Sequence, residues 1–239
     1  MRGSADAVVI GGGVSGASIA YNLMKQGVGN VVLCEKDTFA NGSTGRCGAG
    51  VREQWGAEAN VRICKAAIDI FENLQEELEY EYDIEFVQKG YLMMAYTEKE
   101  WSQFQKNVEV QHKLGVNSRV CTPEEAKEIV PVFNTDGMLG ATYNARDGHA
   151  NPFHTTNAYL KAFERLGGEV NDFTEVIDIE KSGAKVTKVK TNRGDISTPV
   201  VVNAAGPWAG PVAAMVGVAL PVYTERHQIL VTEAVGRLF

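Results

Sequence analysis

The sequence predicts a mixed α/β chain built around a parallel sheet, and three observations carry that expectation. A short apolar run, Ala7 to Ile10, passes through a glycine turn into an amphipathic segment and then a second apolar run, Val31 to Cys34. That is the order of a strand–helix–strand unit whose strands are buried on both faces. Later, Thr97-x-x-Glu100 and Thr122-Pro-Glu-Glu125 each open a helical period, and a hairpin signal at Asn192 to Gly194 precedes the apolar run ending at Asn203.

In the first unit, Val14, Ala17, Tyr21 and Met24 follow helical spacing, and Gly27 or Gly29 ends the helix. Gly11, Gly13 and Gly16 stand in G-x-G-x-x-G spacing between strand and helix. This spacing permits a tight turn, close approach of a pyrophosphate, and close packing of helix on strand, with the helix N-terminus facing the phosphates. Glu35 ends the second strand, where a carboxylate can accept hydrogen bonds from both ribose hydroxyls of an adenosine and repel a 2′-phosphate. Dinucleotide binding is the expectation; a tight turn with no ligand is the alternative. The unit alone does not separate NAD from FAD.

An NAD-binding domain would normally pass into another strand–helix unit here. Instead "NGSTGRCGAGVREQW", Asn41 to Trp55, packs glycines, Ser43, Thr44, Arg46 and Arg52 together, followed by a helix expected from Ala57 to Leu78. Val61, Cys64, Ile68, Phe71, Leu74 and Leu78 share one face of that helix. Backbone amides and the Ser43 and Thr44 hydroxyls could solvate a second side of a pyrophosphate, and the glycines let the chain lie against a flat ring. Tyr82 to Arg146 then holds a mixed strand in "FVQKGYLMMAY", a helix placing Trp101, Phe104, Val108 and Leu114 toward a core, and a returning strand in "MLGATYNAR". A further helix aligns Tyr159, Ala162, Phe163 and Leu166, and "ALPVYTERHQILVTE" alternates as a strand.

Bulk properties narrow the function. The formal charge of −7 is spread without a Lys/Arg stripe, which argues against a nucleic-acid partner and leaves acidic substrates to local cations. Cys34, Cys47, Cys64 and Cys121 form no C-x-x-C pair, so no metal site and no disulfide framework is expected. His149 and His154 lack metal-ligand spacing and read as loop or cap residues. The opening apolar run is too short for a secretory signal, and no run approaches the roughly 20 apolar residues that span a bilayer. A cytoplasmic protein is expected, with peripheral membrane attachment left open.

The segments "VVIGGGVSGASIAYNL", "LCEKD", "GSTGRCGAGVREQW", "DGHANPFHTTNAYLKAFERLGGEV", "VVNAAGPWA" and "HQILVTE" cover most of the chain. Together they resemble the D-amino-acid-oxidase-like flavoprotein superfamily. Within it the chain is similar to sarcosine oxidase β-subunits, dye-linked L-proline dehydrogenases and glycine oxidase-like proteins. The resemblance implies a Rossmann-like FAD-binding domain, 1–81 and 147–216, interleaved with a substrate domain on a mixed β-sheet, 82–146 and 217–239. It also implies noncovalent FAD against Gly11, Gly13, Val14, Ser15, Gly16, Glu35, Lys36, Ser43 and Thr44. Arg46, Gly48, Ala49 and Gly50 would follow beside the isoalloxazine, with Val176, Ala204, Ala205, Gly206 and Trp208 completing the set.

Arg52 resembles the arginine that pairs with a substrate carboxylate, the alternatives being a helix cap or a partner for Glu53. Where related β-subunits carry FMN on a histidine this chain aligns Pro152, so FMN is expected only within a hetero-oligomeric complex. The implied reaction is oxidation of a small amine or amino acid such as sarcosine, proline or glycine by hydride transfer to flavin. Oxygen, a carrier or a partner subunit would accept the electrons, and a homo- or hetero-oligomer is expected. Two alternatives stay open: a 2-hydroxy acid or glycerol 3-phosphate dehydrogenase, and a non-catalytic flavin-binding subunit. Related proteins continue beyond the position of Phe239, so the chain resembles a truncated form expected to hold FAD poorly or lack turnover alone.

Overall fold

A computed structural model describes residues 1–226, 228–230 and 233. In chain order the first elements are β1 (Ala7–Ile10), α1 (Val14–Lys25), β2 (Val31–Cys34), a 3₁₀ turn (Thr44–Arg46), β3 (Gly50–Val51), α2 (Glu58–Phe71) and α3 (Leu74–Glu77). There follow β4 (Tyr91–Ala95), α4 (Glu98–Lys113), β5 (Arg119–Cys121), α5 (Pro123–Ile129), β6 (Gly140–Asn144) and β7 (Gly148–His149). The chain continues through α6 (Pro152–Arg165), β8 (Glu169–Asn171), β9 (Val176–Ser182), β10 (Lys185–Thr191), β11 (Gly194–Ser197), β12 (Val201–Asn203), a second 3₁₀ turn (Gly206–Trp208) and α7 (Ala209–Ala214). These elements fall into two units, one formed by Met1–Cys47, Gln75–Ile84 and Asn151–Ile229, the other by Gly48–Leu74 and Glu85–Ala150.

In the first unit a parallel sheet runs in the order β12-β1-β2-β8, with Val9 opposite Leu33 on one side and Val202 on the other. β1 and β2 are buried at every position, as their unbroken apolar sequences require. The antiparallel sheet β11-β10-β9 contributes Ile179, Val189 and Ile196 to the same core as Val8, Ile10 and Val32. Gly194 opens β11, so the hairpin turns where Asn192 to Gly194 predicted. α6 starts with Asn151 accepting from the amides of Phe153 and His154, and Pro152 occupies its first position, where no N–H is needed. Tyr159, Ala162 and Phe163 are buried as expected, but Leu166 is exposed because it lies at the helix end and not on its inner face.

In the second unit β4-β6-β5 is an antiparallel sheet and β3 pairs with β7. Thr97 and Thr122 complete both capping boxes, each accepting from the amide three residues on while that glutamate bonds back. Ala126, Met138, Ala141 and Cys121 form a small core beneath this sheet.

Three expectations are corrected. The helix predicted over Ala57 to Leu78 is two helices: the Asn73 amide donates to Ile70 and its side chain to Asp69, tightening the last turn of α2 before α3 begins. The strand expected in "FVQKGYLMMAY" is confined to Tyr91–Ala95, since Gly90 turns the chain at positive φ. "ALPVYTERHQILVTE" forms no strand among its described residues; His227, Val231 and Thr232 lie outside them.

The units also divide the chain differently from the boundaries at 81/82, 146/147 and 216/217. Gly48–Leu74 joins the second unit because β3 pairs with β7, and the Gln54 amide donates to the Tyr91 carbonyl in β4.

Candidate functional site

The carboxyl end of the parallel sheet is where a doubly wound fold leaves a crevice for a ligand. Gly11 follows β1 with φ +114°, and its N–H donates to the Cys34 carbonyl at 2.9 Å. A Cβ there would run into the Ala204 carbonyl, and one at Gly16 would land on the Gly11 carbonyl oxygen. The glycines therefore let α1 start directly against the strand ends.

Gly13 caps α1 without a side-chain bond. The Val14 amide is instead met by Thr44 Oγ1 at 3.1 Å, from the segment after β2. That segment is tied back by the Ala40 amide donating to Gly12 O at 3.0 Å, with Ala40 at φ +60°.

A cavity of about 400 Å³ opens over this turn, within the range of ~300–1,000 Å³ that ligand pockets occupy. Of the expected cofactor residues, Gly11, Gly13, Ser15, Glu35, Lys36, Ser43, Thr44, Arg46, Val176, Ala204, Ala205, Gly206 and Trp208 line it. Val14 and Gly16 lie in the first turn of α1, where Val14 is the amide held by Thr44 and Gly16 makes the close contact with Gly11. Gly48, Ala49, Gly50 and Arg52 belong to the second unit.

Glu35 is already engaged by backbone: Oε2 accepts from the Gly12 amide at 2.6 Å and Oε1 from the Asp37 amide at 2.9 Å. Each oxygen keeps a further lone pair, so the carboxylate can fix the glycine turn and still accept from a ligand hydroxyl. Lys36 Nζ sits 3.4 Å from the centre of the Trp208 ring, a cation–π contact on the cavity wall. Trp208 is 44% exposed and lies on the cavity wall, not in the core.

Cys34 lines the same cavity, and burial, followed by the nearby Glu169 charge, pushes its thiol up to about 12. It presents a neutral thiol and no nucleophile. The sequence reading missed Asn41, Gly42, Thr174, Pro207 and Met215, whose lining role arises from chain path. Asn41 and Gly42 lay in the segment already singled out, which was the available signal.

In the second unit Arg52 forms no salt bridge among the described residues. Its guanidinium carbon stands 4.2 Å from the Trp55 ring centre and 5.9 Å from that of Tyr91, and Nη1 meets Met93 Sδ at 3.1 Å. Trp55 is fixed in turn, its indole N–H donating to Arg52 O at 3.2 Å and its carbonyl accepting from Gln111 at 2.8 Å. Glu53, the alternative partner for Arg52, is buried and pairs elsewhere: Arg146 Nη1 lies 3.7 Å away and Asn144 donates to Oε1 at 2.9 Å. A planar cation with aromatic faces beside it and, among the described residues, only a thioether acceptor suits a carboxylate ligand.

His149 lies in β7 and exchanges backbone bonds with Val87, while His154, on α6, stands 3.2 Å from Tyr80 Oη. His149 therefore sits in a strand and not a loop, while the His154 amide donates to the Asn151 cap. Among the described residues no cluster of three His, Cys, Asp or Glu could hold a metal, and no helix is long and apolar enough to cross a membrane.

The family model described as "FAD dependent oxidoreductase" matches residues 6–238. The sarcosine oxidase subunit beta of Arthrobacter sp is 33% identical over 236 residues, 96% of this chain and 58% of that protein. The crystal structure of L-proline dehydrogenase from P. horikoshii superposes with a TM-score of 0.85 at 39% identity, covering 91% of this chain and 57% of that one. That of glycine oxidase from Geobacillus kaustophilus gives 0.83 at 28%, covering 93% and 60%. The chain thus spans somewhat more than half the length of these relatives.

Proposed function

As the chain belongs to the FAD dependent oxidoreductase family, we propose that it binds FAD noncovalently and oxidises a small amine or amino acid such as sarcosine, proline or glycine. Arg52 carries the substrate part of this reading, because its guanidinium is aimed by Trp55 and Met93 yet pairs with no carboxylate among the described residues.

The cavity residues fit FAD. The glycine turn lets α1 start directly against the strand ends, since a Cβ at Gly11 or Gly16 would meet the Ala204 or Gly11 backbone, and α1 directs its N-terminal amides and dipole at a pyrophosphate. Glu35 accepts from ribose hydroxyls, Ser43 and Thr44 add hydroxyl donors, and Lys36 and Arg46 offset phosphate charge. Val176, Ala204, Ala205, Gly206 and Trp208 supply the remaining wall. Val14, Gly16, Gly48, Ala49 and Gly50 are assigned to the same cofactor site. On this reading 1–81 with 147–216 serves the cofactor, except that Arg52 serves the substrate, as do 82–146 with 217–239.

Bound FAD supplies the two-electron acceptor. Arg52 grips the substrate carboxylate and so sets the amine-bearing carbon; the amine enters unprotonated, and no side chain is required as an obligatory base. The "subunit beta" relative supports assembly with other subunits, through which electrons could leave the protein, oxygen or a carrier being the other acceptor.

Anaerobic bleaching of the purified flavoprotein tests the reaction. Sarcosine, proline or glycine is expected to bleach the flavin absorbance. Bleaching by glycerol 3-phosphate or 2-hydroxyglutarate alone would overturn it, and bleaching by no donor unless partner subunits are added would favour the non-catalytic subunit.

Glu35→Gln tests the cofactor part separately. The amide loses one acceptor facing a backbone N–H, so FAD affinity is expected to fall about tenfold, roughly one charge-assisted hydrogen bond. Titration of the apoprotein by flavin fluorescence reads this out, and an unchanged dissociation constant would limit Glu35 to a structural part.

A further inference from the structure

A carboxyl group with no exposed surface sits behind Arg52. Asp147 is 0% exposed and lies between β6 and β7, and its carboxylate accepts from three donors. Oδ1 accepts from the backbone amide of Glu53 at 2.8 Å and from Asn144 Nδ2 at 3.0 Å; Oδ2 accepts from Gln54 Nε2 at 2.9 Å. The same Gln54 nitrogen donates to the Tyr91 carbonyl at 2.8 Å. Asp147 therefore holds the two residues after Arg52 and, through Gln54, joins them to β4.

β4 supplies Tyr91 and Met93, the groups that flank the Arg52 guanidinium. Burying a carboxyl group in this way is costly unless its bonds do something that a smaller apolar residue could not. Here they fix one register between the strand that flanks Arg52 and the backbone that carries it.

We propose that Asp147 is a positioning residue for substrate-carboxylate recognition, acting through Glu53 and Gln54 to hold Arg52 between Trp55, Tyr91 and Met93. The inference rests on the reading of Arg52 as the carboxylate-binding residue. Burial pushes the Asp147 carboxyl above the ordinary aspartate range, in keeping with a site that admits little water.

The test is a double-mutant cycle on the FAD-loaded protein, with acetate as the carboxylate probe read by perturbation of the flavin spectrum. Asp147→Ala is expected to weaken acetate binding about tenfold, and to add almost nothing in an Arg52→Ala background. Asp147→Asn keeps the Oδ1 acceptor for Glu53 but turns a donor toward Gln54 Nε2, so it should recover only part of the loss. Oxidation of an amine that lacks a carboxylate should change far less than oxidation of the amino acid. Equal losses for both donors, or an Asp147→Ala effect undiminished in the Arg52→Ala background, would overturn the positioning role while leaving Arg52 in place. If Arg52→Ala itself leaves acetate binding unchanged, the underlying reading of Arg52 fails, and this proposal with it. Should Asp147→Ala lose its flavin, the Asp147→Asn and Gln54→Leu pair carries the same comparison, with Gln54→Leu expected to weaken acetate.

Discussion

Gly16→Ala should destabilise the protein and abolish tight FAD binding. Helix propensity alone argues the other way, since alanine in a helix gains up to ~1 kcal/mol over glycine. Packing decides the sign. A Cβ at Gly16 would land on the backbone carbonyl of Gly11 and 3.4 Å from the Ala204 methyl, and neither can rotate aside. Overpacking of this kind costs roughly 1–3 kcal/mol, and relief requires α1 to back away from the turn it caps. We expect a net loss of about 2 kcal/mol in the urea midpoint analysis, together with FAD that no longer co-purifies. A variant with an unchanged midpoint and unchanged FAD affinity would show that α1 has room to move.

Arg52→Ala should reduce kcat/KM for a carboxylate-bearing amine by about 10²-fold or more, the loss associated with truncating a desolvated charge pair. Because the side chain also packs on Trp55, a general loss could come from lost packing alone. The discriminating quantity is thus the ratio of activities on an amino acid and on the corresponding amine without its carboxylate. That ratio should collapse in Arg52→Ala, and recover only in part in Arg52→Lys, whose point charge cannot bind a carboxylate in two parallel bonds. If the ratio matches that of the unaltered protein, the carboxylate is held elsewhere.

The cofactor half of the site was largely legible because its signals are local. A positive-φ glycine after a buried strand, a helix start and an acid at the end of the next strand all fall within Ile10 to Glu35. The surroundings of Arg52 were not legible. Tyr91, Met93 and Asp147 reach it from β4 and from the turn before β7, and no periodicity in the sequence announces that pairing. Asp147 looked like an ordinary turn residue before a glycine; only its burial and its three donors reveal what it does. The helix break at Glu72 and Asn73 was hidden for the opposite reason. The apolar period continues through it with Leu74 and Leu78, so side-chain pattern and backbone part company there.

The strand order β12-β1-β2-β8 bears on how the chain reaches its folded state. β1 is complete at Ile10, but its second neighbour, β12, ends only at Asn203, so closing that ladder brings together positions separated by about 190 residues. Compared with the two-residue turn joining β9 and β10, the loop-closure entropy is larger by about 4 kcal/mol. The hairpin should form early and the central parallel ladder late, which places this protein among slow folders of high contact order. Until Val201–Asn203 arrives, one fully apolar edge of β1 stays unpaired, and a chain stalled during synthesis offers that edge to any neighbouring strand, a route to aggregation.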